Sequence, residues 1–287
     1  MTLVNIKSTI KAELMLASVA IFWGVTFLMM QDAIATVPVY AFLFYRFGLA
    51  FVIILAIAYK KVKQIRPKDI FYGFILGVIL FFAYAAQTFA LLYTQSSIVG
   101  FLTGLMVIFV PFFSYFIFRQ QIPKKVIVGS ILAAIGLYYL TMNSGLNFGF
   151  GEALGVFCAL LFAFHLLYTD IFSKKCDIFV VVSTQLLVVA LLSMLFSFIF
   201  EPHTFDIEFS ETFFIALVVT SVFATAYAFL VQTYMQKFVT ASKTVIIFIL
   251  EPLSAAFYGV FVGGEVLLFW QLVGAGLIIL ATIISQI

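Results

Sequence analysis

The chain has 287 residues, 65% of them hydrophobic and 9% charged, with a formal net charge of +3 at pH 7. Soluble domains carry about 25% charged residues, so a mean hydropathy of +1.24 excludes a water-solvated fold and leaves lipid as the solvent for most of the surface. The basic residues follow the connections between apolar runs and form no face for nucleic acid.

A helix needs about 20 apolar residues to cross the hydrocarbon core. On that measure the sequence predicts an all-α integral membrane protein with ten transmembrane helices near residues 12–34, 39–59, 70–92, 97–118, 126–142, 153–171, 178–200, 213–234, 244–262 and 266–284. The runs are continuously apolar rather than alternating, which disfavours strands. The first begins at Ala12, exceeds a signal core of about 7–15 residues, and has no small-residue cleavage site after it. It is therefore expected to be a permanent helix.

Charge sets the orientation. Fourteen of the fifteen Lys and Arg residues fall at five places: Lys7 and Lys11; Lys60, Lys61, Lys63, Arg66 and Lys68; Arg119, Lys124 and Lys125; Lys174 and Lys175; Lys237 and Lys243. The alternate connections hold acids or nothing, at Asp32, 93–97, 143–152, 201–211 and Glu265. The positive-inside rule places both termini in the cytoplasm, in a multi-pass protein of the cell (inner) membrane.

The two halves echo each other. An offset of 139 residues sets Glu13 on Glu152, Trp23-Gly24 on Phe162-Ala163, Thr26 on His165 and Arg46 on Gln185. After a six-residue insertion an offset of 145 sets Gln87-Thr88 on Gln232-Thr233, Ser97 on Ser242, Leu105 on Leu250, and Val128-Gly129 on Val273-Gly274. The expected organisation is one five-helix repeat at 1–142, an extracytoplasmic link at 143–152, and a second repeat at 153–287. Five is odd, so the second repeat enters the membrane inverted. Inverted repeats suit alternating access in secondary transporters.

At these residues the chain resembles the drug/metabolite transporter superfamily, specifically its EamA-like ten-helix members. Trp23-Gly24 and Arg46-Phe47 are similar to that family's WG and RF. The stretch Ala90-Leu91-Leu92-Tyr93-Thr94, Ser97, Gly100-Phe101-Leu102-Thr103-Gly104-Leu105 and Val110-Pro111 is the most specific match. Gly129 and Gly136-Leu137-Tyr138 continue it, and Glu251-Pro252, Gly264-Glu265 and Gly274 fit the matching repeat. Two positions depart from the pattern: Gln120-Gln121 replaces an acid after span four, and Phe162 replaces a Trp in span six. The resemblance implies a transporter whose central cavity is lined mainly by spans one, three, four, six, eight and nine. It names no substrate.

Arg46 and Glu251 are the charged residues expected deep in the bilayer, where either is costly. At 1.5 Å per residue they lie roughly 12 and 16 Å from the outer face, close enough to pair if their helices face each other. Glu251 is expected to couple protons or to face an amine; the structural alternative is a partner for Arg46 or for groups freed by Pro252. His165 is either a proton relay or a hydrogen-bonded interior group. Tyr84, Gln87 and Thr88 share a helix face, as do Thr225, Phe229 and Gln232. Those faces suit a cavity wall, in which Trp23, Thr26 and Tyr168 are also placed. The amides Gln87 and Gln232 are expected at opposite mouths, as gates or as interhelical glue. The pairs Gly73–Gly77, Gly100–Gly104, Gly151–Gly155 and Gly259–Gly263 are expected to bring helices close.

Cys158 and Cys176 are expected to be unpaired. No metal site, cofactor or nucleotide-binding glycine loop is visible. The expected function is a secondary transporter of a small amphiphilic metabolite, such as an amino-acid-like or drug-like molecule, with proton-coupled export as the expected mode. Its partners would be that molecule, the bilayer and protons, as a monomer or homodimer. The alternatives are an intramembrane enzyme acting on a lipid carrier and a non-transporting scaffold or channel.

Overall fold

The computed structural model describes residues 3–59, 65–94, 96–141, 149–201, 210–263 and 268–286. Outside them fall Lys60, Lys61, Lys63, most of the links expected at 143–152 and 201–211, and Gly264-Glu265, together with the side chains of Lys7, Ser97, Gly259 and Gly263.

Every described element is a helix, because in lipid each backbone N–H and C=O must be satisfied within its own segment. In chain order they are α1 (Leu3–Ile34), α2 (Val39–Ala58), α3 (Pro67–Tyr93), α4 (Ser96–Gly104), α5 (Met106–Phe116), α6 (Lys124–Thr141), α7 (Phe150–Ser173), α8 (Ile178–Phe200), α9 (Glu211–Ser221), a π turn (Val222–Tyr227), α10 (Ala228–Met235), α11 (Ala241–Phe248), α12 (Leu250–Gly263) and α13 (Phe269–Gln286). Among the described residues, eight helical stretches are long and apolar enough to cross a membrane, and Phe269–Ser285 is a shorter apolar helix. Phe116, Phe198, Phe261 and Phe269 are each more than half exposed. Such a surface is tolerated against acyl chains and not against water.

Helix ends follow local chemistry. Pro67 opens α3, where its missing N–H is no loss. Asp177 caps α8 through Phe179 and Val180 N–H at 2.9 and 3.4 Å. The residues at the repeat positions of that pair, Tyr40 and Ala41, donate instead to the Glu201 carboxylate at 2.7 and 2.9 Å. Pro38 precedes α2 without a capping side chain, so α8 supplies the cap from across the interface.

Two apolar cores result. One joins the first half of α1 to α4–α7 and α10–α13; the other joins its second half to α2, α3, α8 and α9. Trp23 and Phe162, a repeat-related pair, pack against both. Small residues set the closest approaches. A Cβ on Gly73 would lie 2.8 Å from the Val181 carbonyl, and one on Gly77 2.9 Å from that of Gln185, so α3 rests on the backbone of α8. Gly151 and Gly155 sit equally close to Tyr93 and Leu102. The Gly100–Gly104 expectation is corrected: nothing lies within 4 Å of a Cβ at Gly100, which does not mediate close packing.

Cys176, between α7 and α8, is buried beside Leu76 and Val181. Burial pushes its thiol up to about 11; Asp69 and Asp177 add to this, while Lys237 and Arg66 oppose it. The thiolate is the nucleophile, so at pH 8 iodoacetamide should alkylate Cys176 about 100-fold more slowly than an unperturbed thiol, accelerating as pH approaches 11. Mass-spectrometric alkylation rates across pH 7–10 check this; a simple-thiol rate at pH 8 would contradict it.

Candidate functional site

The fourth and ninth expected spans are each interrupted at one residue whose backbone stays in the helical region. Residue Leu105 interrupts one between α4 and α5, and Ile249 interrupts the other between α11 and α12. Pro252 explains the second break. Its ring would clash with the carbonyl of Phe248 in a continuous helix, whereas in the first turn of α12 it is tolerated. Because the 145 offset relates Leu105 to Leu250, the two breaks occupy repeat-equivalent positions to within one residue.

The eighth expected span carries a different irregularity. In the π turn, the Ala228 N–H bonds back to Phe223 rather than to Ala224. The Ala224 carbonyl is then available to other helices, and it accepts Trp23 Nε1 from α1 at 2.8 Å and Arg46 Nη2 from α2 at 3.4 Å. Arg46 Nε donates to Thr225 Oγ1 at 2.8 Å, and Thr225 Oγ1 donates to the Thr220 carbonyl at 2.8 Å. Single π turns recur at functional sites for this reason: they free backbone groups for tertiary use.

A cavity lies among these irregularities. The space in it that admits the centre of a water is ≈ 30 Å³. Its walls come in repeat-related pairs. At the 139 offset it is lined by Trp23 and Phe162, Thr26 and His165, and Phe27 and Leu166; at the 145 offset by Tyr84 and Phe229, Gln87 and Gln232, Thr103 and Phe248, and Met106 and Glu251. Met30 and Arg46 complete the lining. Charge breaks the symmetry, because Glu251 matches Met106 and Arg46 matches Gln185.

Arg46 is 1% exposed. Besides Thr225 and Ala224 it donates to Met30 Sδ at 2.7 Å and to the Tyr84 hydroxyl at 3.5 Å, and its guanidinium sits 4.8 Å from the Tyr84 ring centroid. Glu251 is 4% exposed. The expected Arg46–Glu251 ion pair is corrected. Both residues line the cavity, yet the ion pairs among the described residues are Arg66–Asp69 and Lys174–Asp170, both toward the basic connections. Arg46 is held by Thr225, the π-turn carbonyl and Tyr84, so its fork is turned to α9–α10. No described donor lies within bonding distance of the Glu251 carboxylate.

The remaining expected site residues divide. His165 Nε2 lies 3.2 Å from Gln185 Oε1, which fits the expected interior hydrogen bond, and the ring also faces the cavity. Gln87 Nε2 donates to Thr103 Oγ1 at 3.2 Å. Gln232 Nε2 donates to Gln236 Oε1 at 3.3 Å, and Gln236 Nε2 to the Leu166 carbonyl at 3.1 Å. Three residues expected in the lining are not there. Thr225 stands behind Arg46; Thr88 is fully buried between helices; and Tyr168 packs on Phe118 and Phe172. Met106, Phe248 and Met30 line the cavity although no motif marks them, and so does Thr103, which lies in a motif stretch given no site role. The repeat offset would have found Thr103 and Met106 once Phe248 and Glu251 were placed.

The model of the EamA-like transporter family matches the chain in two stretches, residues 10–142 and 149–286. An uncharacterized transporter of Archaeoglobus fulgidus is 32% identical over 276 residues, spanning 96% of this chain and 86% of its own. A solved crystal structure at 18% identity superposes with a TM-score of 0.82 over 96% of this chain and 98% of its own, a likeness of fold.

Proposed function

This chain belongs to the EamA-like transporter family, and on that premise we propose that it is a secondary carrier working by alternating access. In this reading ten spans form two inverted five-helix repeats with both termini in the cytoplasm of an inner membrane. The cargo is a small amphiphilic metabolite, and Glu251 couples its export to protons. The observation that supports this most is the pairing of the cavity walls. If one half is inverted relative to the other, each pair sets matching side chains toward opposite membrane faces. Each half then serves in turn as the open and the closed mouth. The repeat-equivalent interruptions at Leu105 and Ile249 put a local irregularity in both halves at the cavity's level. The family match starts twice, 139 residues apart, which is the offset that pairs the walls.

Site-directed labelling tests the reading. In a variant with Cys158 and Cys176 replaced by Ala, Gln87→Cys should react with a membrane-impermeant maleimide added outside, and Gln232→Cys with the same reagent added inside. Conditions that raise one rate should lower the other. Simultaneous labelling of both from one side would indicate an open pore, and rates that never oppose each other would sink alternating access.

A further inference from the structure

We infer that the cavity is built for an organic cation that donates hydrogen bonds, a primary ammonium on a small apolar or aromatic body, with Glu251 as its countercharge. The inference rests on reading this cavity as the cargo site, and it narrows the cargo by what the walls leave unsatisfied.

The cavity walls present acceptors. Glu251 contributes a carboxylate that is 4% exposed and has no described donor. Gln232, 2% exposed, contributes a second acceptor, because Gln232 Oε1 is buried without a partner. Its orientation is fixed by a relay. The Leu166 carbonyl can only accept, so Gln236 must turn Nε2 toward it and Oε1 toward Gln232. Gln232 must answer with Nε2, which leaves its oxygen free. Gln87, the repeat partner of Gln232, likewise commits Nε2, here to Thr103. His165 meets the Gln185 oxygen through Nε2, so the neutral ring offers Nδ1 as an acceptor.

The indole, the guanidinium and Thr26 are committed elsewhere; the Tyr84 and Thr103 hydroxyls accept from Arg46 and Gln87 and keep their own hydrogens. Trp23 Nε1 goes to Ala224, Thr26 Oγ1 to the Trp23 carbonyl, and Arg46 to Thr225, Ala224, Met30 and Tyr84. An anionic ligand would have to strip Arg46 from the π turn and would then lie against Gln232 Oε1 and Glu251. An ammonium supplies three donors for the acceptors Glu251, Gln232 Oε1 and His165 Nδ1. The walls suit the rest of such a molecule. Trp23 meets Phe248 edge-on at 4.9 Å, and Tyr84 meets Phe162 and Phe229 edge-on at 5.3 and 6.1 Å. Ring faces attract a cation and bury an apolar body.

The test uses the full chain in detergent with Trp270→Phe, which leaves Trp23 as the single tryptophan. Trp23 fluorescence is titrated with phenethylamine, 3-phenylpropionate and 2-phenylethanol. Phenethylamine should bind saturably, at least 10-fold more tightly than 3-phenylpropionate. Glu251→Gln and Gln232→Leu should each weaken phenethylamine by 10-fold or more and leave 2-phenylethanol within about 2-fold, while Glu251→Asp retains most of the amine affinity. The inference is overturned if 3-phenylpropionate binds as well as the amine, if no probe gives a saturable change, or if folded Glu251→Gln binds the amine unchanged. Labelled phenethylamine uptake into vesicles separates the two readings. Binding without transport would count against the carrier and leave the ligand class standing; transport of the anion alone would do the reverse.

Discussion

Gly24→Ala should lower the protein's thermal midpoint by several degrees, although it adds one methyl group to a residue in mid-helix. A Cβ at that position would overlap the Glu251 carbonyl and Ser254 Oγ, and it would lie 2.8 Å from the Ala255 nitrogen. Two of these three obstacles are backbone, which no rotamer change can move. Ser254 also bonds the Glu251 carbonyl at 2.9 Å and the carbonyls of Ala20 and Ile21 at 3.4 Å, so the added methyl displaces the hydroxyl joining α1 to α12. Overpacking of this kind costs about 1–3 kcal/mol, and more where the main chain must shift. Transport should fall further than stability, because α1 carries Trp23 and Thr26 and α12 carries Glu251. Gly48, Gly100 and Gly276 are internal controls. Nothing lies within 4 Å of a Cβ on any of them, and alanine in a helix interior is favoured over glycine by roughly 0.5–1 kcal/mol. Those three variants should melt at or above the parent temperature in a size-exclusion thermal assay. A melt of Gly24→Ala indistinguishable from theirs would refute the close approach of α1 and α12.

Helix positions were legible in the sequence because the bilayer allows an apolar run little else. The seventh expected span coincides with α8 at both ends, from Ile178 to Phe200. Cavity candidates were legible where a helix face repeated in both halves, as at Tyr84 and Gln87 against Phe229 and Gln232. What stayed hidden depends on rotation about the helix axis. Counting residues from a span's end gives a depth and no azimuth. Arg46 and Glu251 therefore read as lying within about 4 Å of each other in depth, while the structure turns Arg46 toward the π turn. The π turn itself has no composition signal. It is stabilised by donors from distant helices, Trp23 and Arg46, so the segment 222–227 reads as ordinary apolar helix. The break near Pro252 was foreshadowed by the proline; the one at Leu105 was visible only as its repeat counterpart.

Glu251→Gln should abolish uphill accumulation in proton-energised vesicles while leaving protein yield and melting unchanged within about 1 kcal/mol. A carboxylate buried without a protein partner is costly as a bare charge. It is tolerated when it holds a proton or faces a cation. With Arg46 fixed nearby by its own bonds, the cavity carries the same charge in either case, so a proton and a cationic cargo exclude each other at one group. Glutamine keeps the shape and breaks no described bond to the side chain, so folding is spared; it cannot release a proton, so the exchange stops. Arg46→Met should behave oppositely. It removes the charged donor from Thr225 Oγ1, which keeps its own bond to the Thr220 carbonyl, while the Ala224 carbonyl keeps Trp23 Nε1; hydrogen bonds to charged groups contribute about 1.5–3 kcal/mol, so the variant should cost folded protein before transport is assayed. The two residues share no bond, so the melting defects of the double variant should sum to within about 0.5 kcal/mol. A double variant more stable than Arg46→Met alone by more than that would show the two charges pairing directly in a second conformation of the cavity. The coupling step would then lie in making and breaking that pair rather than in competition at Glu251.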